Sequence, residues 1–303
     1  MTERFVLIGH PVTHSVSPSI HHAAYDALGL DCRYELVDTP DDVAVRAVLE
    51  ALRSGEIRGI NVTVPHKKLT LSLADRCESP AREIGAANVL SRAADGALVA
   101  HNTDAAALAH ELEQRAPRAR SAVVIGGGGA GLAAVAALRN IGVTQIGVVA
   151  RGWRTGLDPK EWPGADAFRA LGATVTAWPE RPASLREEQD HVADDAWEAL
   201  VVSSQIIVQA TSAGMQGAEP GEAVRDIIPW LRLERSVLAC DLVYNPPVTP
   251  FLEAALAAGL EFEGGLGMLV GQAALAIELW LGVEAPRDAM RRAAELALAG
   301  KVA

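Results

Sequence analysis

The stretch Ala122-Val123-Val124-Ile125-Gly126-Gly127-Gly128-Gly129-Ala130-Gly131 decides the fold. The four apolar residues read as a short buried strand, and the glycines open an Ala-rich helix predicted to run to about Ile141. Gly126, Gly128 and Gly131 fit G-x-G-x-x-G in the context it needs: strand, tight turn, helix. The first glycine permits the sharp turn. The second lets the backbone approach a pyrophosphate, and the third lets the helix pack close on the strand. Free N–H groups and the positive dipole end of the helix then face the phosphates. A Gly-rich turn can also serve structure alone; with strand and helix both present, the pattern points to a dinucleotide.

The next predicted strand, Gln145 to Ala150, bears on which dinucleotide. An NAD site usually carries an acidic residue about 20 positions past the turn, on the ribose 2′-hydroxyl. Here the strand runs into Arg151-Gly152-Trp153-Arg154-Thr155, with guanidiniums and no carboxylate. Arg grips a 2′-phosphate bidentately and stacks on adenine. The plainer alternative makes Arg151 and Arg154 surface charges of a loop.

Outward from this unit, strand and helix signals alternate. Arg4 to Ile8, Arg33 to Val37 and Gly59 to Val64 read as strands, and Pro18 to Leu28 and Asp41 to Ser54 as helices. Ser17 is the expected N-cap of the first helix and Gly29 its C-terminal stop. This alternation predicts a largely parallel sheet. A helix over Ala105 to Glu113 leads into the glycine unit. Beyond it, Gly152 to Leu200 holds Trp153, Trp162, Trp178 and Trp197, with a strand near Ala173 to Ala177. That stretch reads as an elaboration of the unit's rim or as a partner surface, the former being favoured. Ile206 to Gln209 and Val237 to Leu242 are further strands, and the last fifty residues read as helical, Met268 to Leu281 and Pro286 to Ala299.

The 303 residues leave room for two domains. A formal net charge of -11 argues against nucleic acid or an anionic membrane as partner. Apolar runs such as Ala273 to Ile277 are too short to span a bilayer. No signal peptide is expected at the N-terminus. Cys32, Cys77 and Cys240 are scattered with no C-x-x-C spacing, so a reducing cytoplasm is the expected location. The histidines form no H-E-x-x-H and no ligand array with cysteine, so no metal site is expected.

Three polar clusters lie outside the nucleotide unit. In HSVSPSIHH, His14 to His22, Ser15 and Ser17 stand at a helix start, a seat for a carboxylate. Ser17 can also simply cap the helix, and the two roles are compatible. In NVTVPHK, Asn61 to Lys67, Thr63 and Lys67 sit at the carboxyl end of a strand, where open α/β sheets bind ligands. Lys68 reads as a solvated charge. In HNTD, His101 to Asp104, Asp104 is either a helix-start carboxylate or the partner of a lysine.

Taken in order, these motifs resemble the shikimate dehydrogenase family. The family pattern begins P-x-x-H-S-x-S-P, N-V-T-x-P-x-K, G-A-x-N and N-T-D, followed by a Gly-rich turn and N-R-T. It continues N-A-T-S-x-G-M, D-x-x-Y-x-P-x-x-T and G-x-G-M-L-x-x-Q-A. The chain has PVTHSVSP, NVTVPHK, GAAN (Gly85 to Asn88) and HNTD, then QATSAGM (Gln209 to Met215), DLVYNPPVTP (Asp241 to Pro250) and GLGMLVGQAA (Gly265 to Ala274). It departs where N-R-T reads Ala150-Arg151-Gly152 and where Gln209 replaces Asn.

The resemblance implies a two-domain α/β fold, with a Rossmann-type NADP domain (105–265) inserted into a discontinuous substrate domain (1–104 and 266–303). It implies NADPH-dependent, reversible reduction of 3-dehydroshikimate to shikimate. Ser15 and Ser17 would bind the substrate carboxylate. Thr63, Asn88, Asn102, Tyr244 and Gln272 would hold its ring hydroxyls and carboxylate, with Lys67 and Asp104 as the catalytic pair. Gly126, Gly127, Gly128, Gly129, Ala130, Gly131, Arg151, Arg154 and Thr211 would hold NADP, with Met215, Gly265 and Met268 near its nicotinamide. Lys67 would protonate the alkoxide left by hydride transfer while Asp104 orients the ammonium or shares the proton relay. An NAD-dependent quinate/shikimate dehydrogenase, an aminoshikimate-type relative and a catalytically silent nucleotide-binding protein remain alternatives. The partners implied are small molecules, and a homodimer stays open.

Overall fold

A computed structural model describes residues 2–180 and 192–302. The chain divides into two compact units, Met1–Ala107 with Leu269–Ala303, and Leu108–Met268.

The first unit holds strands β1 (Glu3–Gly9), β2 (Cys32–Asp38), β3 (Gly59–Val62), β4 (Arg76–Cys77), β5 (Val89–Arg92) and β6 (Leu98–His101). The helices of its N-terminal part are α1 (Ser17–Leu28), α2 (Asp42–Ser54), α3 (Lys67–Leu73), α4 (Ser79–Ile84) and the start of α5 (Asp104–Arg115). The sheet order is β2-β1-β3-β5-β6-β4. The expected parallel run holds for β1, β2 and β3, but β5 is antiparallel to both β3 and β6. The β5–β6 pairing follows from the short turn between them, where Ala93 N–H donates to Ala97 O at 2.9 Å and Gly96 takes φ 88°. A parallel pair needs a crossover of a dozen or more residues, so a link this tight forces antiparallel pairing.

Ser17 is not the N-cap of α1. Val16 holds that position and makes no side-chain cap. The Ser17 N–H donates instead to Ser15 Oγ at 3.1 Å, which makes Ser15 the residue that closes the helix start. Gly29 ends α1 in the left-handed conformation, as expected.

The second unit contains β7 (Ser121–Ile125), α6 (Gly129–Asn140), β8 (Gln145–Val149), α7 (Ala165–Ala170), β9 (Thr174–Thr176), α8 (Val192–Val202), β10 (Ile206–Gln209), α9 (Glu222–Arg225), β11 (Leu238–Asp241), α10 (Pro250–Ala257) and β12 (Glu261–Glu263). All its strand pairs are parallel, in the order β12-β11-β10-β7-β8-β9. This is the doubly wound Rossmann order, whose direction reverses between β7 and β10. β12 interrupts the helical C-terminal region expected from sequence. It adds a short edge strand before α11 (Leu266–Leu281) and α12 (Arg287–Val302).

The tryptophan-rich stretch is largely exposed, but Trp153, Trp162 and Trp197 turn inward. Trp153 stacks on Trp162 at 5.8 Å and meets Phe168 edge-on at 5.6 Å. Trp197 is fully buried and donates to Ile227 O at 3.0 Å. These rings build the core of the nucleotide unit. Residues 181–191 of the stretch lie outside the described residues.

Trp280 joins α11 to the first sheet. Its ring stacks on Phe5 at 5.0 Å, and its Nε1 donates to Leu90 O at 3.1 Å. It lies so close over β3 that a Cβ on Gly59 would fall 2.3 Å from the ring. Trp280→Ala should therefore cost about 3–5 kcal/mol of stability, read by urea unfolding. A loss under about 1 kcal/mol would show that the ring does not hold α11 to the sheet.

Candidate active site

The site is built where strands of the first unit end. β3 stops at Val62, and a turn closed by His66 N–H to Thr63 O (3.0 Å) delivers Lys67 as the first residue of α3. β6 stops at His101, and Asn102 Oδ1 accepts from Ala105 N–H (3.3 Å), closing the start of α5 with Asp104 in its first turn. Asp104 is therefore not the cap; Asn102 performs that role. The positive end of α5 favours a carboxylate at this place.

Lys67 Nζ donates to Asp104 Oδ2 at 2.5 Å, with side-chain exposures of 23% and 10%. Asn88 Nδ2 donates to the other oxygen, Asp104 Oδ1, at 2.8 Å and to Thr103 Oγ1 at 2.9 Å. Asn88 Oδ1 in turn accepts from Thr103 N–H at 2.8 Å. Both N–H donors of the Asn88 amide are thus used inside the protein. Thr103 Oγ1 donates onward to the backbone carbonyl of Gln272 at 3.1 Å, which ties α11 into the same network. The backbone adds a further tie, Ala87 N–H to Lys67 O at 2.8 Å.

Behind the pair lies a buried polar layer. Tyr34 donates to Asn61 Oδ1 at 2.6 Å, and its ring stacks on His21 at 3.8 Å. Burial holds the His21 imidazole at a pKa of about 3, so it is neutral, and its Nε2 has no partner among the described residues. His66 Nε2 bonds Thr39 O at 2.7 Å. Thr103, Asn61 and Tyr34 escaped the sequence reading as members of this network. Thr103 and Asn61 stood inside motifs already quoted, whereas Tyr34 carried no signal.

Ser15 Oγ donates to Ser17 Oγ at 3.0 Å, so the two hydroxyls lie side by side at the start of α1. Thr63 is half-buried at the end of β3, and Lys68 is exposed. The Gln272 amide turns back to Leu269 O at 2.9 Å.

A chain described as "Shikimate dehydrogenase (NADP(+))" from Methanopyrus kandleri is 36% identical over 294 residues, covering 95% of this chain and 93% of its own. The chain belongs to the shikimate dehydrogenase family. Family models for the shikimate dehydrogenase substrate binding domain and the shikimate 5'-dehydrogenase C-terminal domain match residues 7–90 and 265–295. Shikimate 5-dehydrogenase from Thermus thermophilus, solved with NADP(H) and shikimate, superposes with a TM-score of 0.78 at 32% identity, covering 98% of this chain and 100% of that one. Quinate dehydrogenase from Corynebacterium glutamicum, solved with NAD, gives a TM-score of 0.77 at 30% identity and covers 96% of this chain and 98% of that one.

The residues expected to hold the cofactor lie on the second unit, and the shape of the turn there fits a dinucleotide. Gly126 takes φ 140°, and a Cβ on it would lie 2.7 Å from Ala210 O. A Cβ on Gly131 would lie 2.1 Å from Gly126 O, so α6 can approach β7 only with glycine here. At Gly128 and Gly129, by contrast, an added Cβ would meet nothing within 4 Å. That is the open backbone a phosphate needs, in front of a helix start with no side-chain cap. Ala130 is half-buried in the first turn of α6. Arg151 and Arg154 are exposed just past β8, and Arg151 is ion-paired with Glu219.

Thr211, Met215, Tyr244, Gly265 and Met268 follow β10 and β11 or precede and begin α11, all on the second unit. Thr211 Oγ1 accepts from Ala213 N–H at 3.1 Å, and Met215 is 41% exposed. A Cβ on Gly265 would fall 2.3 Å from Leu242 O, so the chain there passes directly over the end of β11. Burial raises the Tyr244 phenol above its ordinary pKa, leaving it a protonated donor at neutral pH. Gln209, in place of the family's Asn, accepts from Thr211 N–H and donates to Ala213 O at 3.0 Å, so it shapes the turn after β10. Among the described residues no cluster of His, Cys, Asp and Glu could hold a metal ion.

Asp241 anchors the loop that carries Tyr244. It is fully buried and accepts from Val243 N–H at 2.9 Å and Thr249 Oγ1 at 2.5 Å. Burial raises its pKa to about 7 against the pull of those two hydrogen bonds. The folded state therefore binds more protons than the unfolded state between roughly pH 4 and pH 7, and stability falls as pH rises through that window. Asp241→Asn keeps an acceptor for the Val243 N–H and turns the bond to Thr249 round, its amide donating to Thr249 Oγ1, and should flatten the fall when unfolding is compared at about pH 5 and about pH 8. Parallel pH curves for parent and variant would show that Asp241 does not govern it.

Proposed function

We propose that the chain reversibly reduces 3-dehydroshikimate to shikimate with NADPH, and that the observation carrying this reading is the Lys67–Asp104 pair. Bound NADPH supplies the hydride. Reduction of the ketone leaves an alkoxide, to which Lys67 gives its proton; in the oxidative direction Lys67 takes that proton back. Asp104 holds the ammonium in place, Asn88 holds Asp104, and Thr103 holds the Asn88 amide. Asn88 and Asn102 act chiefly through this positioning, since their side chains are already engaged by the fold. Ser15 and Ser17 seat the substrate carboxylate, while Thr63, Tyr244 and Gln272 contact its other polar groups. The Gly126–Gly131 turn, Arg151, Arg154 and Thr211 hold NADP, and Met215, Gly265 and Met268 border its nicotinamide.

The reaction belongs to the pathway that makes chorismate and the aromatic amino acids, and a reducing cytoplasm suits the three free thiols Cys32, Cys77 and Cys240. A quinate/shikimate dehydrogenase using NAD is the second reading. It is favoured by Ala150 and Gly152 in place of the family's Asn and Thr.

NADPH oxidation with 3-dehydroshikimate tests the reaction, and quinate with NAD tests the second reading. Lys67→Ala should lower kcat by about 10²–10⁴-fold while shikimate binding stays within a few fold, because a proton-transfer group acts mainly in the transition state. Near-normal kcat in this variant would remove Lys67 from the chemistry.

A further inference from the structure

Arg151 is the one residue of the family's three-residue N-R-T motif that this chain keeps, and its guanidinium is ion-paired with Glu219. The two residues arrive from opposite sides of the glycine turn. Arg151 follows β8, and the turn touches that segment: a Cβ on Gly127 would lie 2.8 Å from the Ala150 Cβ. Glu219 follows β10, on the other side of β7 in the sheet order. The ion pair therefore links the two loops that flank the β7–α6 turn.

The carboxylate is presented by a closed loop. Glu219 O accepts from Gly214 N–H at 2.8 Å, where Gly214 takes φ 86°. Nearby Gln216 is bonded to Asn245 through both backbone and side chain, at 2.9 and 2.8 Å. Ala150 and Gly152 offer no side-chain donor. A ligand arriving here meets Arg151 with a carboxylate already attached.

We infer that Glu219 is a specificity determinant that competes with the 2′-phosphate of NADP for Arg151 and so narrows the margin by which the site prefers NADP over NAD. This rests on the reading of the turn as the dinucleotide site. A 2′-phosphate, nearly doubly charged at neutral pH, must draw Arg151 away from Glu219 and then lie near the released carboxylate. A 2′-hydroxyl needs neither step. The pair stays intact, and Glu219 can accept the hydroxyl's hydrogen bond, as the acidic residue of an NAD site does. Both partners are well exposed, 45% for Arg151 and 62% for Glu219, so the competition is modest.

Calorimetric titration of NADP⁺ and NAD⁺ into the parent, Glu219→Gln, Arg151→Ala and the double variant tests this. Glu219→Gln should tighten NADP⁺ about two- to fivefold relative to NAD⁺, the scale of an exposed ion pair. The NADPH-to-NADH ratio of kcat/KM should move the same way. In the Arg151→Ala background the gain should shrink, since no guanidinium is left to release. An unchanged NADP⁺-to-NAD⁺ ratio in Glu219→Gln, or an equal gain without Arg151, overturns the competition. A parent that binds neither dinucleotide overturns the reading of the turn itself, a separate and recognisable result.

Discussion

An ammonium and a carboxylate 2.5 Å apart, both largely out of water, fix the polar centre of the first unit. Removing either partner of such a pair leaves an uncompensated charge in a poorly solvated place, which is costly. The surrounding fold is arranged so that neither is left alone. Lys67 is delivered by the turn after β3 and Asp104 by the start of α5. Asn88 occupies the second carboxylate oxygen, and Thr103 ties the group to α11. Four segments distant in sequence thus converge on one ion pair, and the antiparallel β5 is what brings Asn88 between β3 and β6.

The second unit follows a different constraint, the lack of side chains. Gly126 and Gly131 are glycine because backbone atoms already fill the space a Cβ would need. Gly128 and Gly129 face open space, so there the missing side chain leaves the N-terminus of α6 accessible. One run of glycines therefore serves both packing and access, in different residues. The same unit places its large aromatics behind the turn, with Trp153 packed between Trp162 and Phe168.

Sequence periodicity made most of this fold legible. The strand–turn–helix at Ala122 to Gly131 stands where expected, and the Rossmann strand order follows from parallel βαβ connections. The β5–β6 turn was missed because Asp95-Gly96, its turn signal, lies between strands of only four residues each. The helix-start readings fared differently. Ser17 was expected to cap α1, yet Ser15, two residues earlier, supplies the oxygen, whereas Asp104 stands in the first turn of α5 and pairs with a lysine, with Asn102 accepting the helix N–H. Cap identity depends on which backbone N–H points outward, and that is set by the turn before the helix. The members of the site and the pairing of Lys67 with Asp104 came from ordered motifs, but the contacts that surround the pair did not. Nothing in the sequence shows that the Asn88 amide is used up on Asp104 and Thr103, or that Glu219 reaches Arg151.

If Lys67 and Asp104 work as one proton-transfer unit, their losses cannot be independent. The decisive measurement is a double-mutant cycle on kcat for 3-dehydroshikimate reduction, comparing Lys67→Ala, Asp104→Asn and the double variant. Groups acting together give strongly non-additive losses, so the double variant should be little slower than the slower single one. Fully additive losses would contradict the account, because each side chain would then be contributing without the other.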